Sequence, residues 1–206
     1  QEIHTHSINE LHDVAEEKLT EELVDGNPVA LENIQSRLRG MMVMALANSR
    51  NAMAITTGNK SELAMGYCTL YGDMVGGYAP LGDLYKTEVY DVAHAINSEA
   101  ERFGETPPIT ESTLTKPPSA ELAPDQMDED TLPPYPLLDE ILLAHIEDGQ
   151  SASEIAGKGI AEELVDEVLS RLVRNEHKRW QMPPAPRVSS RAFGQGWRLP
   201  MAARRT

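Results

Sequence analysis

Hydrophobic positions recur at helical spacing over most of this chain. Across residues 8–24, Leu11, Val14, Ala15, Leu19 and Leu23 fall three and four apart with acids between them, which predicts an amphipathic helix with one wet face. The pattern breaks at DGNPVAL. Asn27 before Pro28 is a start signal, because proline fits the first turn of a helix, where its missing N–H has no bond to lose. The helix that follows would bury a stripe of Leu31, Ile34, Leu38, Met41, Met42, Ala45 and Leu46. It also puts Asn33 and Arg37, four apart, on another face as a candidate polar pair. Further helix patterns cover residues 87–103, through Val89, Tyr90, Val92, Ala93 and Ile96, then 137–146 and 160–173, the last two joined by the polar turn EDGQSASE.

Two stretches leave that period. AMAITTG, residues 52–58, is a short apolar run of small and β-branched residues ending in Thr-Thr-Gly. It predicts one buried strand opening into a loop at its carboxyl end, where ligands bind in open α/β sheets. Residues 104–136 are rich in proline and acid and read as a long loop: a lid over a site, a binding loop or a disordered acidic linker. The expected architecture is mostly helix with at least one parallel-type strand, and no internal repeat.

Composition narrows the function classes. With 206 residues and 40% hydrophobic content the chain can bury one real core. It has no apolar run of about 18 residues, and its start, QEIHTHSINELHD, lacks the apolar centre of a secretory signal, so a cytoplasmic protein without a membrane partner is expected. Because the first residue is Gln rather than Met, a fragment or a processed product is also expected. One cysteine, Cys68, excludes an internal disulfide and a cysteine-rich metal site. The net charge of −15 argues against nucleic acid as a partner. Yet nine of the 18 basic residues lie in residues 171–206 against a single acid, Glu176, which leaves that segment at +8 and the rest at −23. A tail of this kind either holds an anionic ligand or clamps an acidic surface of its own fold or of a second subunit.

The densest chemistry lies in TTGNKSELAMGYCTLYGDMVGGYAPLGDLYKT, residues 56–87. Thr57, Gly58 and Asn59 offer a hydroxyl, an unhindered backbone and an amide beyond the strand, suited to an adenine or ribose. Glu62 is a hard oxygen ligand suited to Mg²⁺, and Lys86 a mobile cation suited to phosphate, with Asp73 and glycines 66, 72, 76 and 77 between them. Taken singly, each has a bland alternative: Glu62 a solvated acid, Thr57 a helix cap, Lys86 a solvated lysine. Cys68 has no local base and reads as packing or site lining. No Ser or Cys stands at a recognisable spacing from a base, so a plain hydrolase is disfavoured and no catalytic side chain is assigned.

Together with three further stretches, this segment resembles a known family. GNKSELAMGYCTLYGDMVGGYAPLGDLYKTEVY, ENIQSRLRG, LTKPPSAELAPDQMDEDTLPPY and NEHKRWQMPPAPRVSSRAFGQGWRLP are similar to the synthetase domain of NAD synthetases, in the glutamine-dependent branch, over residues 27–200. The resemblance implies an α/β fold of the adenine-nucleotide α-hydrolase-like (Rossmann-like) kind, here largely its helical C-terminal part with few strands. It also implies ATP-dependent amidation of deamido-NAD through an acyl-adenylate, with ammonia derived from glutamine by an amidase domain not in this chain. Residues 1–206 would form the C-terminal portion of the synthetase domain, with 104–136 a mobile active-site loop and 171–206 a basic C-terminal segment.

By the same resemblance, Thr57, Lys86 and Ser119 contact ATP. Asn33, Arg37, Glu62, Tyr67, Cys68, Thr69, Leu70, His177 and Lys178 contact deamido-NAD, and Glu62 is the candidate Mg²⁺ ligand. A homo-oligomer, dimer or higher, is expected. The family's Ser-Gly-Gly-x-Asp-Ser phosphate loop is not among the 206 residues and would lie upstream of Gln1. Ammonia-only relatives carry Asp where this chain has Gly77, which points to the glutamine-dependent branch. The alternative is a non-catalytic nucleotide-binding or helical oligomerisation module derived from this fold.

Overall fold

Helical spacing in the sequence becomes helix in the structure, a computed structural model that describes residues 3–21, 23, 28–123, 125–194 and 196–201. Helix α1 spans Asn9–Leu19 and α2 spans Pro28–Arg50, with Pro28 at the first position of its helix. Val24 and Asn27, at the expected end and start, lie outside the described residues. Helix α1 buries none of its residues and rests on α2.

The stripe expected on α2 is not its buried face. Met41 is 54% exposed, and the fully buried positions are Ser36, Gly40 and Ala47. Small residues face inward because α2 lies directly on the backbone of the turn at 69–72. A Cβ at Gly40 would stand 2.8 Å from the Gly72 carbonyl oxygen.

The core lies further along the chain. Helix α3 (Lys60–Met65), α6 (Tyr135–Ile146) and α8 (Glu162–Arg174) pack together. Leu63, Ala64 and Met65 meet Leu138, Ile141 and Leu142 from α6 and Val165, Val168, Leu169 and Leu172 from α8. Burying each large apolar side chain contributes about 1.5–3 kcal/mol. The turn between α6 and α8 itself contains a short helix, α7 (Ala152–Ala156), started by a reciprocal Ser151–Glu154 cap that the sequence reading passed over. Helix α9 (Glu176–Arg179) closes the helical series, and irregular chain then runs back over α3 and α6.

Helix α4 (Lys86–Arg102) leans on α6 and α3 but buries none of its residues, and Val92 and Ile96 are exposed. The segment read as a loop carries α5 (Glu111–Thr115) and a 3-10 turn at Asp128–Asp130. It is tied to α2: Gln35 Nε2 donates to the Leu122 carbonyl at 3.2 Å, and Gln126 Nε2 to Glu32 Oε1 at 3.2 Å.

The expected buried strand is reduced to an isolated parallel bridge between Ile55 and Tyr78. The Thr56 N–H donates to Tyr78 O at 3.0 Å and the Gly77 N–H to Ala54 O at 2.9 Å. Ala54 and Thr56 are buried, while Ile55 is 54% exposed. A strand is completed by neighbours on both edges, and the described residues place one short stretch beside this one. No helix among them is long and apolar enough to cross a membrane.

Candidate functional site

Helix α3 is short but bounded at both ends. Asn59 accepts the Glu62 N–H at 3.0 Å, and Glu62 Oε2 accepts the Asn59 N–H at 3.1 Å, a reciprocal cap. Gly66, at φ +65°, closes the far end in the left-handed region. The cap is therefore Asn59, and Thr57 is not one; it stands exposed between Thr56 and Gly58.

With Oε2 held by the backbone, Glu62 directs Oε1 at Lys86 Nζ, 3.0 Å away at the start of α4. Their side chains are 19% and 18% exposed, so neither is the solvated residue its type alone suggested. The ammonium also lies 5.3 Å from the centre of the Tyr135 ring.

Glu62 lines a narrow cleft of about 10 Å³ together with Thr56, Gly58, Cys68, Asp73 and Met182. Burial pushes the Cys68 thiol up to about 12 despite the opposing charge of Lys178, so it stays protonated and lines the cleft without serving as a nucleophile. Burial also raises the Asp73 carboxyl, against the Thr69 N–H and Ser36 hydroxyl that it accepts. Tyr67 is half-buried on the adjoining turn, its hydroxyl pushed up by burial and by Asp128. An open apolar depression of about 280 Å³, with Leu70, Tyr71 and Val75 in its wall, shares Met182 with the cleft.

Helix α2 brings Asn33 and Arg37 to that same turn. The Thr69 hydroxyl donates to Asn33 Oδ1 at 2.8 Å, and Arg37 Nε donates to the Leu70 carbonyl at 3.2 Å. The C-terminal segment approaches from the opposite side. Lys178 Nζ donates to the carbonyls of Gly66 and Cys68, each at 2.7 Å, while Arg171 and Asn175 both donate to Met65 O at 3.0 Å. Arg179, paired with Glu176, donates to the carbonyls of Leu63 and Ala64. These donors supply the partners that the last carbonyls of a helix lack. Of the two readings of the basic tail, a clamp on its own fold describes what these side chains do, with backbone rather than acidic side chains as the main acceptors. His177 is exposed, its Nδ1 3.0 Å from Arg174 O. Ser119 is engaged inside its own loop, donating to Gln126 O and accepting the Glu121 N–H, and does not line the cleft.

Two buried polar centres behind the cleft escaped the sequence reading. Lys60 is fully buried between Asp83 at 3.0 Å, Glu147 at 2.5 Å and Ser189 Oγ at 2.8 Å. Burial alone would raise both acids. Bonds from Ser189 and Lys60, joined by Val188 at Asp83 and by Ser190 at Glu147, outweigh it and hold both carboxyls below their usual range. The second centre is Asp139 on α6. It accepts the Ser61 hydroxyl through Oδ1 and both the N–H and hydroxyl of Thr87 through Oδ2. The sequence signal for both was faint, because an acid on a helical apolar face reads as a solvated position.

For a metal the protein offers little on its own. Among the described residues no group of three His, Cys, Asp or Glu side chains is placed to hold an ion. Glu62 fits Mg²⁺ only as a single carboxylate, with phosphate oxygens and water completing the shell, which is how Mg²⁺ is commonly held beside a nucleotide.

This helical arrangement is shared with solved nucleotide synthetases. NMN synthetase from Francisella tularensis superposes with a TM-score of 0.64 at 27% identity, over 85% of this chain and 63% of that one. A glutamine-dependent NAD+ synthetase from Acinetobacter baumannii, solved in complex with ADP, gives 0.50 at 39% identity, over 94% of this chain and 34% of that one. The chain belongs to the NAD synthase family, whose model matches residues 1–183. It is 52% identical over 170 residues to the glutamine-dependent NAD(+) synthetase of Acinetobacter baylyi, and 46% identical over 173 residues to that of Aquifex aeolicus. Those matches take in 82% and 84% of this chain but 31% and 30% of the relatives, so it spans about a third of their length.

Proposed function

We propose that this chain is part of the synthetase unit of a glutamine-dependent NAD synthetase, within an adenine-nucleotide α-hydrolase-like α/β fold. The reaction is amidation of deamido-NAD. The nicotinate carboxylate attacks the α-phosphorus of ATP and pyrophosphate leaves; ammonia released from glutamine elsewhere in the protein then attacks the acyl carbon and AMP leaves. The observation that carries this reading is the Glu62–Lys86 pair, of which Glu62 lines the cleft together with Cys68 of the 67–70 turn that Asn33 and Arg37 hold.

Chemically, the first step brings a carboxylate up to a polyphosphate, and cations must screen the two. Lys86 serves the phosphates and moves away from Glu62 as it does so. Glu62 would hold, through one oxygen, the Mg²⁺ that accompanies ATP, and that ion would supply charge to screen the pyrophosphate. Thr57 and Ser119 are assigned to ATP, with Ser119 brought in by the loop, whose closure would keep water from the adenylate. Asn33, Arg37, Glu62, Tyr67, Cys68, Thr69, Leu70, His177 and Lys178 are assigned to deamido-NAD. Lys178 shapes its end of that site through the carbonyls of Gly66 and Cys68. The exposed apolar residues of α1 and α2, Val14, Val29 and Met41 among them, supply a surface for self-association.

The test is Glu62→Ala in the full-length protein. Pyrophosphate release dependent on MgATP should fall by at least about a hundredfold, in the range expected when an electrostatic contact to the reacting phosphates is lost. A rate near normal would remove Glu62 from the site.

A further inference from the structure

The geometry points to Asp139 as a positioning residue that sets the distance between Glu62 and Lys86 through Ser61 and Thr87. This rests on the reading above that the pair serves the phosphates of ATP.

Glu62 and Lys86 stand on different helices. Just outside the pair, the Lys60 N–H donates to Leu84 O at 2.8 Å and buried Tyr85 anchors the residue before α4 in the core. Helix α4 itself buries no residue, and the residues next to Glu62 and Lys86 are joined by Asp139. Its Oδ1 accepts the hydroxyl of Ser61, the neighbour of Glu62, at 2.5 Å, and its Oδ2 accepts the N–H and hydroxyl of Thr87, the neighbour of Lys86, each at 2.9 Å. Ser61 Oγ in turn accepts the Lys86 N–H at 2.9 Å, closing the link between the helix starts. Asp139 is 5% exposed and Ser61 fully buried, so water does not compete for these bonds. Consecutive Cα atoms are only about 3.8 Å apart, so a shift at residue 61 or 87 passes directly to residue 62 or 86. Neither Asp139 nor Ser61 lines the cleft, and the effect passes through their neighbours.

A merely structural double cap would stabilise the fold without favouring either substrate. The experiment separates the two in the full-length protein, comparing wild type with Asp139→Asn, which keeps the volume but replaces one acceptor oxygen by a donor. Three things are measured: steady-state constants for ATP and deamido-NAD, thermal melting, and the rate at which Lys86 is acylated by an amine-reactive ester, read by peptide mass spectrometry. Lys116, 61% exposed, is the internal reference.

Positioning predicts that kcat/KM for ATP falls at least about tenfold, that KM for deamido-NAD stays within about twofold, and that Lys86 is labelled at least about three times faster relative to Lys116. Unchanged labelling of Lys86 in a folded variant overturns the proposal. So does an equal rise in KM for both substrates, or a lowered melting temperature with unaltered kinetics. If Asp139→Asn does not fold, Ser61→Ala, which removes the same bridge at its other end, is judged by the same outcomes. If the wild type shows no ATP-dependent turnover, the assigned reaction fails. Labelling of Lys86 then decides by itself: faster labelling in the variant supports Asp139 as the element holding the pair, and no change overturns it.

Discussion

The two halves of this molecule treat their apolar residues in opposite ways. In the half built from α3, α6, α7, α8 and α9, Leu138, Ile141, Leu142, Ile146, Ile155, Val165 and Leu172 are completely covered. In the half built from α1, α2 and α4, residues of the same type stay open: Val14 at 55%, Val29 at 55%, Met41 at 54% and Ile96 at 44%. Buried charged groups follow the same division. Full burial of Lys60, and near-full burial of Asp83, Asp139, Glu176 and Arg179, belongs to the covered half and its seam with α4. The lesson is that a dry core anchors the cleft while charged and hydroxyl side chains register the helix ends within it. The exposed half leaves apolar side chains on its surface.

The sharpest way to break this contrast is at Lys60. Lys60→Met leaves Asp83 and Glu147 facing each other without their cation, and stability to denaturant should fall by about 3–5 kcal/mol, the usual effect of removing one partner from a buried ion network. A loss below about 1 kcal/mol would mean the network is wet and the covered half less dry than described. A smaller effect belongs to the boundary. Gly40→Ala places a Cβ 2.8 Å from Gly72 O and 3.0 Å from Tyr71 O, which are backbone atoms with little room to yield. Overpacking of this kind costs about 1–3 kcal/mol, less up to about 1 kcal/mol recovered from helix propensity, and the same melt should register the balance. Smallest of all is Met41→Ser on the open face of α2. If that face is solvated, the change should stay within about 0.5 kcal/mol. A loss above about 1.5 kcal/mol, growing with protein concentration, would show the face covered by a second molecule, and would sharpen the contrast into an interface.

The helices were legible where their period was. Residues 87–103, 137–146 and 160–173 became α4, α6 and α8 to within two residues at each end, because long amphipathic repeats dominate local choice. Which face was buried was less legible. On α2 the apolar stripe lost to Ser36 and Gly40, since the turn at 69–72 comes so close that only small side chains fit beneath it. The strand at 52–58 was written in its composition, but pairing depends on residues far along the chain, and one bridge to Tyr78 is what the described residues supply. Likewise α5 and α7, at five residues each, carry too few periods to stand out from the polar runs around them.

For the site, the letters singled out Glu62 and Lys86 but not their contact, which joins residues 24 apart. Lys60 and Asp139 were unreadable for the same reason: whether a charged side chain is buried is decided by partners as far as 129 residues away.

Helix α3 has one more implication, in time rather than space. The donors that finish it come from Arg171, Asn175, Lys178 and Arg179, between 106 and 116 residues downstream. Six residues are too few to hold a helix by themselves, and closing so long a segment is an entropic burden that local contacts do not relieve. During synthesis, the stretch bearing Glu62 therefore leaves the ribosome well before its last carbonyls can be satisfied, and a chain halted ahead of residue 171 would be made with that end unfinished. Synthesis as far as residue 179 thus precedes the finishing of that helix end.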